Sequence, residues 1–250
     1  MSDTPQSPLL KIEGIRKRFG DTLVLNEITL EASTGEIIAV VGENGSGKST
    51  LMRILSGSLG ADGGTMRLQS KIYAPQNPKE ALRKGMAMVS QDETICPELT
   101  AAENIVLGNE TASGRNHHLG ILWDKPLLER AKGAYSRVSS ALIDFQKGAG
   151  LLSGGQRKSV MIARALLSSP TVLILDEPTN ALGLSEQNEL FELVRRLKQQ
   201  GLCIFYVSHK PAEITEVADR VVGFKQGRIT KTLRKGEFDE TRLMRLMMGT

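Results

Sequence analysis

The nine residues Gly42-Glu43-Asn44-Gly45-Ser46-Gly47-Lys48-Ser49-Thr50 constrain this chain more than any other stretch, because they fit G-x-x-x-x-G-K-[ST] and their flanks fit as well. Residues 36–41 read as a short apolar strand and residues 48–55 as a helix. Strand, glycine turn and helix in that order make a phosphate cradle. The glycines let backbone N–H groups curl around oxygen atoms, and the helix N-terminus adds the positive end of its dipole. Lys48 then reaches the outer phosphates, and the Ser49 hydroxyl is placed to ligate Mg²⁺.

A second glycine-rich motif, Leu152-Ser153-Gly154-Gly155-Gln156, lies about a hundred residues on. Ser153 is a good N-cap, and Gly154 and Gly155 permit close approach of a phosphate at the start of a helix expected to run to Leu167. One nucleoside triphosphate needs a single cradle, so the surplus points to a dimer.

Between and after these motifs stand residues suited to phosphate chemistry. Asp176 and Glu177 close the apolar run Val172-Leu173-Ile174-Leu175, and an acid pair there is costly unless it meets a cation or substrate. At the carboxyl end of a parallel strand, Asp176 can hold Mg²⁺ through water while Glu177 polarises an attacking water. Gln91 follows the strand-like residues 86–89 and could sense both the metal and the water. Alone it reads more readily as a surface amide. His209 ends the apolar run Phe205-Tyr206-Val207-Ser208 and can hydrogen-bond a γ-phosphate, although a lone histidine is more readily structural.

Elsewhere strand and helix signals alternate, which predicts an α/β core. Residues 1–8 look like a loose tail, residues 9–15 and 22–32 have β patterning around a Gly20-Asp21 turn, and residues 64–68 and 86–89 are further strands with a helix over 78–84. From residue 100 to 145 the signals turn helical, with Asp124 as N-cap and Leu128, Ala131, Tyr135, Val138 and Leu142 on one apolar face. Parallel-sheet patterning resumes at residues 171–175, 203–207 and 220–224. A helix over 185–200 is expected to be capped by Ser185 and stopped by Gly201. A terminal helix carries Leu243, Leu246 and Met247 in register, which suits packing on its own domain.

Composition narrows the class. With 40% hydrophobic residues in 250, a full core is within reach. No run approaches the roughly 18 apolar residues of a membrane span, and no leader pattern opens the chain, so a soluble protein is expected. Cys96 and Cys203 are too few for a disulfide framework, His117 and His118 read as a solvated loop, and a net charge of +4 is too slight to argue for nucleic acid.

Taken together and in this order, the motifs resemble the ATP-binding cassette ATPases, the nucleotide-binding subunits of ABC transporters. The resemblance spans nearly the whole chain. It identifies residues 42–50 as Walker A, Gln91 as the Q-loop glutamine, residues 152–156 as the signature motif, Asp176 and Glu177 as Walker B with its catalytic glutamate, and His209 as the switch histidine. Phe19, in Lys17-Arg18-Phe19-Gly20, matches the aromatic that stacks on adenine. The resemblance implies a P-loop NTPase core with a mainly parallel sheet, an antiparallel β subdomain and a helical subdomain at about residues 92–167, all within one cassette over residues 9–250. It implies ATP and Mg²⁺, and a head-to-tail homodimer or paired cassette in which each signature caps the other subunit's ATP. Transmembrane permease subunits, and indirectly a solute-binding protein, are implied partners; nucleic acid is not. The implied location is peripheral, on the cytoplasmic face of the inner membrane.

Two departures from the family pattern stand out. Asn180-Ala181-Leu182-Gly183 ends in Gly where the family usually has Asp, a residue that helps tie the two sites together, and residues 144–151 are shorter than the family norm. Several phrases, among them Glu103-Asn104-Ile105-Val106-Leu107-Gly108 and Leu243-Met244-Arg245-Leu246-Met247-Met248-Gly249, look like cassettes of bacterial monosaccharide importers of the ribose and xylose type. Import of amino acids or another small solute, a soluble non-transport cassette, and a nucleotide-gated scaffold without useful turnover are the alternatives.

Overall fold

The computed structural model describes residues 7–91, 95–109, 125–180 and 182–248. Asp124, Ala181, the His117-His118 pair and residues 92–94 of the loop after Gln91 lie outside them.

Two sheets form the frame. The first is antiparallel, in the order β2-β1-β4-β5, from β1 (Leu10–Phe19), β2 (Thr22–Ala32), β4 (Gly63–Leu68) and β5 (Lys71–Ile72). The second has the order β10-β9-β3-β8-β7-β6, from β3 (Ile37–Gly42), β6 (Met86–Val89), β7 (Val172–Asp176), β8 (Cys203–Val207), β9 (Arg220–Lys225) and β10 (Arg228–Arg234). Its five inner-sequence strands pair in parallel, and only β10 runs antiparallel to β9. The α/β expectation, with a mainly parallel sheet beside an antiparallel one, describes this arrangement.

Continuous apolar strands follow from burial on both faces. Along β3, Ile37 joins one hydrophobic cluster, Ile38 and Val40 a second, and Ala39 and Val41 a third. The first cluster holds the helices inserted in sequence between β6 and β7, namely α3 (Ala101–Val106), α4 (Lys125–Ser136) and α5 (Gly154–Leu166), together with α6 (Leu184–Gln199). The second packs the antiparallel sheet and α1 (Lys48–Leu55) against the other face. The third gathers α7 (Pro211–Val217) and α8 (Glu240–Met247), so the terminal helix packs on its own chain through buried Leu243, with Leu246 and Met247 against it. Between β5 and β6 lies α2 (Pro78–Arg83), capped by Asn77.

Two local expectations need correction. Helical signal from 100 to 145 breaks at Ser136, and Leu142, assigned to the apolar face of that helix, is 96% exposed. Beyond Ser136 the chain is irregular until a short 3₁₀ turn at Ala149–Leu151. Tyr135 and Val138 do stay buried, with Phe145 edge-on to Tyr135. Ser185 does not cap α6; the N-cap residue is Gly183, whose N–H donates to Glu186 Oε2 at 3.0 Å. An acid three residues past the cap, reaching back to the cap N–H, is half of a capping box.

Candidate functional site

In the strand order 3-8-7-6, the turns after neighbouring parallel strands line one carboxyl edge, where open α/β sheets bind ligands. Gly42 ends β3 and residues 43–50 follow it, His209 follows β8, Asp176 ends β7 with Glu177 next, and Gln91 follows β6 and is exposed.

The first cradle is shaped by backbone that only glycine tolerates. Gly42 (φ 143°), Gly45 (φ 77°) and Gly47 (φ 107°) all have positive φ. A Cβ on Gly42 would overlap the Phe224 carbonyl oxygen, and one on Gly47 would lie 2.7 Å from Leu25 Cδ2 of β2. The loop is clasped by Ser46 N–H to the Glu43 carbonyl at 3.2 Å and by Gly227 N–H to the Ser46 carbonyl at 2.9 Å. Lys48 Nζ donates to the carbonyls of Gly42 and Glu43, each at 2.8 Å, which holds the ammonium over the loop. Burial lowers the Lys48 pKa from its ordinary value, and the charges of Glu177 and Asp176 push it back up. Both acids are therefore near enough to the cradle's cation to act on its charge. Ser49 is exposed on the first turn of α1, Thr50 is partly buried, and Glu43 and Asn44 are exposed. Phe19 ends β1 and is 51% exposed, with Lys17 Nζ 5.7 Å from its ring centroid.

Glu177 and His209 meet directly, Nδ1 to Oε1 at 2.8 Å. Glu177 has φ 47°, a left-handed conformation costly for a side chain of its size, and its N–H is tied to the Val207 carbonyl at 2.9 Å. This turns the carboxylate back toward β8. Its second oxygen, Oε2, is buried and accepts no hydrogen bond from the described residues, so an acceptor stands ready at the cradle.

Behind this pair lies a buried acid that sequence reasoning missed. Glu213, on the first turn of α7, accepts from Thr179 Oγ1 at 2.5 Å, Ser208 Oγ at 3.0 Å and Tyr206 Oη at 3.1 Å, and pairs with Lys210 Nζ at 2.9 Å. It ties the turn after Glu177 to the residue before His209. Burial first, and the Glu213 charge second, hold the Tyr206 hydroxyl far above its ordinary pKa, so it remains a donor. An acid in the first turn after Pro211 reads in sequence only as a helix-start signal; its burial comes from the fold.

The second glycine motif opens α5. Ser153 Oγ accepts from Gln156 N–H at 3.2 Å and Gln156 Oε1 accepts from Ser153 N–H at 2.9 Å, a complete capping box that bears out Ser153 as N-cap. Leu152 is partly buried ahead of it, and Gly154 is the first helical residue. The N–H of Gly155 donates to Glu186 Oε1 at 3.0 Å, a residue 31 positions away at the start of α6. A Cβ on Gly155 would overlap that carboxylate.

A family model described as ABC transporter matches residues 25–180, which covers more than half of the chain and contains the first cradle, Gln91, the second motif and both acids. The chain belongs to the ABC transporter family. It is 36% identical over 245 residues to the "Ribose import ATP-binding protein RbsA" of Yersinia pestis bv. Antiqua (strain Antiqua), covering 97% of this chain and 46% of the relative. A Bacillus licheniformis protein of the same name is 38% identical over 240 residues, covering 96% and 48%. The chain thus spans about half the length of the curated relatives it matches. Among solved structures, a nucleotide-free ATP-binding cassette from an ABC transporter superposes with a TM-score of 0.83 at 26% identity, covering 98% of this chain and 96% of that one. The ADP conformation of the cassette MJ1267 gives 0.80, also at 26%, covering 97% and 96%.

In this ABC cassette fold the donor set suits magnesium. Ser49, Gln91 and Asp176 offer hydroxyl, amide and carboxylate oxygens, which are hard ligands. Among the described residues no cluster of three His, Cys, Asp or Glu makes an all-protein cage. Magnesium fits such a site because it characteristically takes one or two carboxylates together with substrate phosphates. No helix among the described residues is long and apolar enough to cross a membrane. Cys96 is exposed and Cys203 buried, each a free thiol.

Proposed function

We propose that this chain binds and hydrolyses ATP and powers import of a monosaccharide through membrane permease partners. The observation that carries the reading is the Glu177–His209 contact at 2.8 Å on the same carboxyl edge as a glycine loop whose Lys48 is held over it by the Gly42 and Glu43 carbonyls. The printed names of the relatives, ribose import ATP-binding proteins, support the solute class. Residues 9–250 act as one cassette, with a helical subdomain at about residues 92–167 inserted in its α/β core.

Backbone N–H groups of Gly42, Glu43, Asn44, Gly45, Ser46, Gly47, Ser49 and Thr50 cradle the phosphates, Lys48 reaches the outer ones, and exposed Phe19 stacks on adenine. Ser49, Asp176 and Gln91 would hold Mg²⁺, which would supply positive charge against that gathering on the phosphate oxygens. Glu177 accepts the proton of the attacking water through its carboxylate, and His209 orients that carboxylate and hydrogen-bonds the γ-phosphate. Leu152, Ser153, Gly154, Gly155 and Gln156 cap the nucleotide held by a second cassette, as a homodimer or a mixed pair. The pair sits peripherally on the cytoplasmic face of the inner membrane, served indirectly by a solute-binding protein and needing no nucleic acid.

Glu177→Gln is expected to lower steady-state ATP turnover by about 100-fold or more while ATP still binds. A turnover rate within a few fold of the parent removes Glu177 from the mechanism. Ser153→Arg is expected to abolish turnover with ATP binding intact, and normal hydrolysis by that variant rejects the shared site.

A further inference from the structure

One carboxylate serves two helix starts. Glu186 Oε1 accepts the Gly155 N–H at 3.0 Å in the first turn of α5, and Glu186 Oε2 accepts the Gly183 N–H at 3.0 Å at the N-cap of α6. The first of these N–H groups belongs to the segment that caps a phosphate in the proposed shared site. The second belongs to the residue standing where the family usually has Asp. Helix starts leave such N–H groups without intrahelical partners, and the dipole favours an anion there.

We propose that Glu186 is a positioning residue that acts as a displaceable clasp: it holds the signature N–H until a nucleotide phosphate takes it, and so carries that event to Gly183. Two facts make the clasp exclusive. A single N–H cannot donate fully to a carboxylate and a phosphate together, and two anions at one helix start repel each other. The contact is close enough that even a methyl group on Gly155 would displace the carboxylate. Room for it to move exists. A cavity of about 650 Å³ borders Glu186 and is lined also by Ser153, Gln156, Ser159, Glu189 and Arg196. When Oε1 loses Gly155, the geometry that fixes Oε2 on Gly183 loosens, and the α6 start is freed to rearrange. Coupling between the two motifs then needs no aspartate at position 183. It runs through the backbone N–H of Gly183 and the side chain three residues on.

The inference rests on the proposed shared ATP site, and the experiment separates the two. In the full chain carrying Glu177→Gln, ATP-driven dimer formation is followed by light scattering against ATP concentration, with and without Glu186→Gln. Glutamine keeps the size and loses the charge, so a phosphate meets a weaker competitor. The half-saturating ATP concentration is expected to fall about threefold to tenfold. In parallel, glycine amides labelled with ¹⁵N report the coupling: ATP is expected to move the Gly155 and Gly183 resonances together in the Glu177→Gln chain. In the double variant Gly155 is expected to move alone. An unchanged or raised ATP requirement in a folded double variant overturns the clasp and leaves the shared site standing, as does a Gly183 resonance that still follows ATP without Glu186. If the Glu177→Gln chain binds ATP yet never dimerises, the shared site itself fails and the clasp falls with it.

Discussion

The two glycine motifs present backbone donors by different means. Around Gly42, Gly45 and Gly47 the shape is made by positive φ angles and by backbone packed against backbone, and the cation that completes the loop comes from the same nine residues. Around Gly154 and Gly155 the backbone is ordinary helix start, and the partner of the Gly155 N–H is a side chain 31 residues away on another helix. The first cradle is rigid because its own chain leaves no alternative. The second is adaptable, because what fills it is the end of a flexible side chain.

The sharpest way to break this contrast is to add one methyl group to each. Gly42→Ala must push against the Phe224 carbonyl and also adopt φ 143°, so a loss of about 3 kcal/mol or more of unfolding free energy is expected. Gly155→Ala meets first the Glu186 side chain, whose carboxylate can swing away, leaving about 1 kcal/mol for the lost helix-start hydrogen bond. Paired denaturant titrations measure both. Equal losses would mean that the second motif is as rigid as the first.

Glu213 tests whether rigidity at the first site extends behind it. Its carboxylate is buried and takes three hydroxyl groups and the Lys210 ammonium, so Glu213→Gln presents an amide N–H₂ to groups that themselves donate. A loss of about 2 kcal/mol or more in stability is expected. Turnover should fall with little change in the Michaelis constant for ATP, because Thr179 and Ser208 flank the Glu177–His209 pair and not the phosphate loop. A variant of parental stability and rate would confine the rigid region to the loop itself.

The same contrast explains what could be read from the chain before its fold was known. Residues 42–50 act through adjacent residues, so their pattern is visible as a string, and strand runs such as Cys203–Val207 are visible because burial on both faces leaves a continuous apolar segment. Ser153 as N-cap was equally legible, since a cap and its reciprocal partner lie three residues apart. Glu186 and Glu213 were not. Each is an acid in the first turn of a helix, a common and usually solvated position, and its partners are supplied by other elements brought near only in three dimensions. Serine is the better intrinsic N-cap, which favours Ser185 in the sequence; the Glu186 side chain instead makes glycine at 183 sufficient. Leu142 lies on a helical period that continues past Ser136 in the sequence, and period alone does not mark where a helix loses its packing partner.

The smallest expected effect concerns charge at the first site. Burial is the leading cause of the lowered Lys48 pKa, and Glu177 is the larger of the two acids that oppose it. A phosphate is held best by the protonated amine, so ATP affinity is full below the folded-state pKa of Lys48 and declines as pH rises through it. That alkaline decline should therefore begin below the ordinary lysine value of 10.5. Glu177→Gln removes one charge that favours the ammonium, which should move the decline to lower pH. Neutralising Glu186 should leave it in place, because Glu186 belongs to the other motif. Binding of a fluorescent ATP analogue across the alkaline range in the parent and both variants measures this. A decline centred at or above 10.5 would show that burial is not the leading influence on Lys48, and one that ignores Glu177 would show that this acid and the cradle's lysine are not coupled.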